Sequence, residues 1–276
     1  MGVLADSIRQ NWPEIERVLR VGFASYPDLL EKVERQEAEA KRDFYDEQIW
    51  TFLICCGYAL TTGGPTRLAE LLLGGGTGLA CQAIWFECQP RSPRYRSGSY
   101  RKEGSSRIDL ALGALRQRDP TRSGMEYDPA LGRWVAFCEC KWYSDISTTV
   151  SYDQHRNQFL RVIDSALFLQ TPQGERPGRV HVVLVTPASF RSRKIKSRLY
   201  QYKFEEYQTD PQRIKEELEA CRLERSESYP DLDRCLQALR LHWVTYQDLL
   251  HGLPESPIQK HLIEFVRKSD GSGDHC

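Results

Sequence analysis

The run Arg107-Ile108-Asp109-Leu110-Ala111-Leu112 is followed, after a polar segment rich in turn signals, by Trp134-Val135-Ala136-Phe137-Cys138-Glu139-Cys140-Lys141-Trp142. Both runs are apolar enough to be buried strands, yet the first carries one acid and the second an acid and a base two residues apart. Alternate residues of a strand face the same side, so Glu139 and Lys141 emerge together. A buried carboxylate or ammonium is costly unless it has a partner. With Asp109 the pair would make an acid, acid, base cluster able to hold a divalent cation and a water, which is the make-up of a metal-dependent phosphodiesterase centre. The competing explanation is a buried salt bridge between strands.

On the N-terminal side, Leu4, Ile8, Trp12, Ile15, Val18 and Leu19 form a helical stripe broken by Pro13, so one or two short helices are expected. A long helical stretch from Pro27 to Leu60 turns apolar at Ile49 to Ile54. Gly63-Gly64-Pro65 breaks the chain, Thr66 to Leu73 reads as a short helix, and Leu79 to Cys88 as a strand. On the C-terminal side, Tyr152 to Leu169 reads as an amphipathic helix and Val180 to Val185 as a buried strand. A polar helical region from about Ile195 to Leu241 precedes a last strand at His242 to Tyr246. Arg116 to Arg133 is read as the long loop of a hairpin, and Ser269 to Cys276 as a disordered tail.

Lys plus Arg and Asp plus Glu both number 38, so net charge announces no nucleic-acid partner and any such partner must be held by a local patch. Two acid-free basic stretches qualify, Arg91 to Lys102 with Tyr95 and Tyr100, and Arg191 to Lys203 with Tyr200 and Tyr202. Lys and Arg neutralise phosphates while Tyr stacks, and a plain solvated surface is the alternative. The nine cysteines lack paired metal spacing and read as reduced thiols of a cytoplasmic protein. The N-terminus shows no secretory signal, and no apolar run approaches the ~20 residues of a membrane helix, so no membrane is expected among the partners.

An acid on one strand and Glu-x-Lys on the next, followed by a helix and another strand, resembles the PD-(D/E)XK nuclease superfamily. The resemblance covers about Asp43 to Leu250 as an order of elements, but its motif is only a handful of residues. It implies an α/β, restriction-endonuclease-like fold, a mixed central sheet flanked by helices with N-terminal and C-terminal helical additions. The corresponding layout is a helical extension over 1–42, a nuclease-like domain over 43–268 and the tail over 269–276. It also implies that Asp109 and Glu139 bind Mg²⁺ or Mn²⁺ with the main-chain carbonyl of Cys140, and that Lys141 positions or activates the attacking water. The Cys140 side chain would point away from the metal. The family commonly adds an acid from the opening helix, which favours Glu47, with Asp46 its neighbour and Glu70 the competitor. The helix after Glu-x-Lys often offers a Gln, here Gln154 or Gln158, with His155 between them.

Glu-x-Lys alone carries little, since Glu39-Ala40-Lys41 repeats it on a polar helical stretch. Ile108 replaces the Pro of the family name, and no iron–sulfur cysteine pattern is visible. Gly74-Gly75-Gly76-Thr77-Gly78 lacks the Lys of an ATPase loop, so energy-coupled action would need a partner protein such as an ATPase. The expectation is a Mg²⁺-dependent deoxyribonuclease, an endonuclease rather than an exonuclease, of bacterial restriction, repair or phage defence. DNA is the expected partner, with RNA and a homodimer left open. The alternatives are a catalytically vestigial nuclease-like binding or assembly subunit, and an unrelated α/β protein whose acids form structural pairs.

Overall fold

A computed structural model describes residues 2–39, 46–75, 78–91, 106–142, 144–148, 156–191, 199–221 and 232–269. The chain opens with α1 (Val3–Val18), β1 (Leu19–Val21) and α2 (Tyr26–Glu39). Then come α3 (Glu47–Ala59), α4 (Gly64–Leu72), β2 (Ile84–Pro90) and β3 (Ile108–Gly113). A small excursion forms β4 (Leu115–Gln117) and β5 (Gly124–Tyr127) before β6 (Trp134–Cys140), α5 (Gln158–Phe168) and β7 (Arg179–Thr186). The rest is α6 (Ala188–Arg191), α7 (Leu199–Thr209), α8 (Pro211–Ala220), α9 (Leu232–Ala238), β8 (Leu239–Thr245), α10 (Tyr246–Gly252) and α11 (Pro257–Ser269).

The expected α/β architecture is present as an eight-stranded mixed sheet flanked by helices among the described residues. Its order is β4-β5-β2-β3-β6-β7-β8, with β1 beside β2. β2, β3 and β6 run antiparallel to one another in turn, whereas β6, β7 and β8 are parallel. Every residue of β6 is buried, because helices cover both faces. Trp134, Ala136, Cys138 and Cys140 face a core shared with α1, α3 and α4. Val135 and Phe137 face a second core shared with α5, α7 and α8.

The first 42 residues are not helical alone. Leu19–Val21 forms β1 and pairs with Ile84–Phe86, and three residues are too few to display a strand period. Leu4, Ile8, Leu29 and Val33 of α1 and α2 lie in the same core as the sheet. The stretch read as one helix from Pro27 to Leu60 holds two, α2 and α3, with residues 40–45 between them outside the described part. The strand expected from Leu79 starts only at Ile84. The segment Arg116 to Arg133 is no plain loop: β4 and β5 pair antiparallel, and Asp128 caps a single 3₁₀ turn at Pro129–Leu131. Ser269 ends α11, and the rest of the expected tail lies outside the described residues.

Candidate active site

The register of β3 on β6 sets the site. Leu110 pairs with Cys138 and Ala111 with Phe137, which places Asp109 across from Glu139 at the end of both strands. Directly opposed residues share a face with Cβ atoms about 5 Å apart. Pairing with β7 continues one residue past β6, where the Lys141 N–H donates to the Val185 carbonyl at 2.8 Å, so Lys141 keeps a strand-like placement two residues after Glu139.

α3 supplies the third acid. Asp46 caps this helix, its side chain accepting from the Gln48 and Ile49 N–H groups, and so fixes the first turn that carries Glu47. Glu47 Oε1 accepts from Lys141 Nζ at 2.9 Å, while its Oε2 accepts from the Trp142 N–H at 3.3 Å and from Ser144 Oγ at 2.7 Å. An aromatic wall stands behind this turn. Trp50 stacks on Trp142 with centroids 4.5 Å apart, Trp142 meets Tyr246 edge-on at 5.0 Å, and the Tyr246 hydroxyl lies 3.2 Å from Thr51 Oγ1. These contacts seat the helix start against the strand end.

Lys141 Nζ also lies 2.9 Å from Glu139 Oε1, and both side chains are almost wholly buried, at 5% and 1% exposure. Burial alone would lower the Lys141 pKa, but the charges of Glu139, Asp109 and Glu47 outweigh it and hold the ammonium above the ordinary lysine value. Partly buried Asp109 accepts from the Cys140 N–H at 2.8 Å through Oδ2. Burial first, then the charge of Glu139, pushes its carboxyl well above the usual carboxylate range. Three carboxyl groups therefore surround one ammonium, which leaves a surplus of acid over base.

The residues that bear oxygen ligands here fit a hard divalent cation, and the excess of acid over base favours one. Among the described residues no three His, Cys, Asp or Glu groups converge on one point, and it is Lys141 that balances Glu139 in this arrangement. Asp109 and Glu139 are thus two neighbouring acids and not a complete ligand set. The Cys140 thiol sits on the opposite face with Cys138, protonated because burial and then Asp109 raise its pKa, so only its main chain is on offer to the site.

Of the residues expected from the sequence, Glu47, Asp109, Glu139, Cys140 and Lys141 come together. Asp46 serves as a helix cap, and Glu70 lines a different cavity of about 860 Å³ with Arg191, His242 and Asp248. Gln154 and His155 lie outside the described residues. Gln158 accepts from the Ser147 N–H at 3.2 Å and pins the segment after Lys141. Asp145 in that segment accepts from the Leu199 and Tyr200 N–H groups, tying it to the start of α7. Ser144, Trp142, Trp50 and Tyr246 escape the sequence reading, since no motif marks them and their partners are far away in the chain.

Most of the two basic stretches lies outside the described residues. Within the second, Tyr200 is buried against Phe190 and Trp243 and is not a stacking surface, whereas Tyr202 is 58% exposed. Lys203 is held by Glu206 and Glu217 and is no open phosphate contact. Comparison with family models, with curated proteins and with solved structures finds no match.

Proposed function

We propose that the protein is a metal-dependent nuclease of PD-(D/E)XK type that hydrolyses DNA phosphodiester bonds, an endonuclease of restriction, repair or phage defence. The observation that carries the reading is the convergence of Glu47, Asp109, Glu139 and Lys141 from three separate elements on one end of the sheet. Charged side chains this deep are hard to account for by stability, because apolar replacements of a buried ion pair are often neutral or better. Strand ends in open α/β sheets are also where ligands are ordinarily bound.

Asp109, Glu139 and the Cys140 carbonyl would hold Mg²⁺ or Mn²⁺, which when bound lowers the pKa of a water and offsets charge on the phosphate. Lys141, kept charged by its acids, supplies a fixed positive charge to the attacking water or a phosphate oxygen. Glu47 holds that ammonium in place and clamps Trp142 and Ser144 of the following turn. Substrate backbone contacts fall to the basic stretches, with Arg94, Arg96 and Arg101 in one and Arg193, Lys194 and Lys196 in the other. Gln replacement of either trio is expected to weaken DNA binding across all sequences and to flatten its salt dependence, read from the slope of log affinity against log salt.

The double engagement of Lys141 by Glu47 and Glu139 favours a second reading, in which the cluster is structural and the domain a catalytically inert binding subunit. Incubation with supercoiled, duplex and single-stranded DNA and with RNA, in Mg²⁺ or Mn²⁺, separates the two. Cleavage by the wild type and not by Glu139→Gln supports the nuclease; no cleavage of any substrate with either metal supports the inert subunit.

A further inference from the structure

The sheet ends at β8. Among the described residues Leu239–Thr245 pairs with β7 alone, in unbroken register over all seven residues and with no proline. A regular strand of that length presents on its outer side a row of backbone N–H and C=O groups open to pairing, and folded proteins ordinarily blunt or cover such an edge. Here the edge is neither blunted nor buried. Leu241, His242, Trp243 and Val244 form the floor of a cavity of about 860 Å³.

The two helical layers supply its walls. Val244 shares a core with Leu68, Ala69 and Leu72 of α4, and on this side the cavity is lined by Glu70 and Leu71. Trp243 points to the other face, where it meets the Phe204 ring of α7 at 5.3 Å, and this side contributes Phe204, Glu205 and Gln208. Helices on both faces therefore reach alongside the last strand, and its edge is recessed between them. Such a recess takes one extended strand. The edge of a second copy would arrive with its own flanking helices, which would meet α4 and α7 first. The charge of the described lining is also one-sided: three carboxylates, Glu70, Glu205 and Asp248, stand against one guanidinium, Arg191, whose Nη1 lies 3.7 Å from Asp248 Oδ2. His242 adds no positive charge at neutral pH, because burial holds its pKa below the ordinary histidine value. Consecutive residues of a strand face opposite sides, so two adjacent bases on an occupant reach the acids of both walls.

We propose that the β8 cleft binds an extended basic segment of a partner protein, added to the sheet as a further strand with two adjacent Lys or Arg side chains directed at Glu70 and Glu205. Backbone hydrogen bonds to β8 supply the affinity, and the acids of the two walls supply the selection. The cleft lies two strands beyond β6 and its role is independent of the nuclease reading.

The test selects a displayed library of random peptides, each long enough to span β8, on the full-length protein, then measures the enriched peptides by fluorescence anisotropy and by amide hydrogen exchange of the protein. Peptides carrying two adjacent basic residues are expected to be enriched and to slow exchange in β8. Glu205 and Gln208 are exposed and Glu70 is half-buried, so substitutions there leave the fold intact. Glu70→Lys and Glu205→Lys are each expected to lower the affinity of the enriched peptides by tenfold or more, since like charges then meet. Gln208→Trp, which fills the cleft, is expected to abolish binding. No enriched peptide, enriched peptides without the basic pair, wild-type affinity in both Lys variants, or unchanged exchange in β8 overturns the proposal. A dimer in sedimentation that Gln208→Trp dissociates assigns the cleft to a second copy and overturns it as well.

Discussion

Lys141 is held by Glu139 on its own strand and by Glu47 from α3, and with 5% exposure it has little water to fall back on. Removing one member of such a network strands the others. Lys141→Met is therefore expected to cost about 3–5 kcal/mol in urea denaturation, because Glu139 is left buried and unpaired. Lys141→Met with Glu139→Gln should recover much of that loss, since the most deeply buried of the carboxylates is then neutral; equal stability of the single and double variants would show that the pair is not coupled. Activity should behave differently from stability. Asp109→Asn, Glu139→Gln and Lys141→Met should each lower plasmid cleavage in Mg²⁺ by about 100-fold or more, the scale of losing one preorganised electrostatic contact. Glu39→Ala and Lys41→Ala should leave cleavage unchanged. At this scale the sequence was most legible: two charges in an otherwise apolar run are a local anomaly that needs no tertiary information to see.

α3 brings Glu47 to the strand end only because its first turn is fixed. Asp46 caps it through the Gln48 and Ile49 N–H groups, and the Trp50, Trp142 and Tyr246 rings brace it from the core side. Asp46→Ala should cost roughly 1 kcal/mol of stability, whereas Asp46→Asn, an equally good cap, should stay within a few tenths. Cleavage assays on the same pair decide the role of this acid. A cap predicts that Asp46→Asn retains activity, and a metal ligand predicts that it loses as much as Asp109→Asn. The sequence could not choose among Asp46, Glu47 and Glu70, because each sits on a helix and helical periodicity says which face is polar without saying what lies opposite it. Short pieces were the other failure at this scale. β1, β4 and β5 have three or four residues each, and they are strands only because a neighbouring strand offers hydrogen bonds.

Across the sheet as a whole, β7 and β8 are joined by a histidine pair, with His181 Nδ1 2.9 Å from His242 Nε2. Burial, and then the charge of His242, lowers the His181 pKa from 6.5 to about 4, and burial lowers that of His242 as well. Between these values the unfolded chain binds more protons than the folded one, so stability is full above pH 6.5 and falls as the pH drops toward 4. The loss is on the order of 1.4 kcal/mol for each unit of pKa displacement, to be read from melting temperatures at pH 7 and pH 5. His181→Phe should flatten that dependence; an unaltered profile would place the sensitivity elsewhere. By itself the sequence determined the alternation of apolar strands with amphipathic helices, the α/β class and the identity of Asp109, Glu139 and Lys141 as odd charges, because burial period and residue type are local properties. Only the tertiary structure decided which helix acid reaches them, that Tyr200 is core, and that the first residues add a strand. Those depend on register and on the approach of segments far apart in the chain, which side-chain pattern along one segment does not encode.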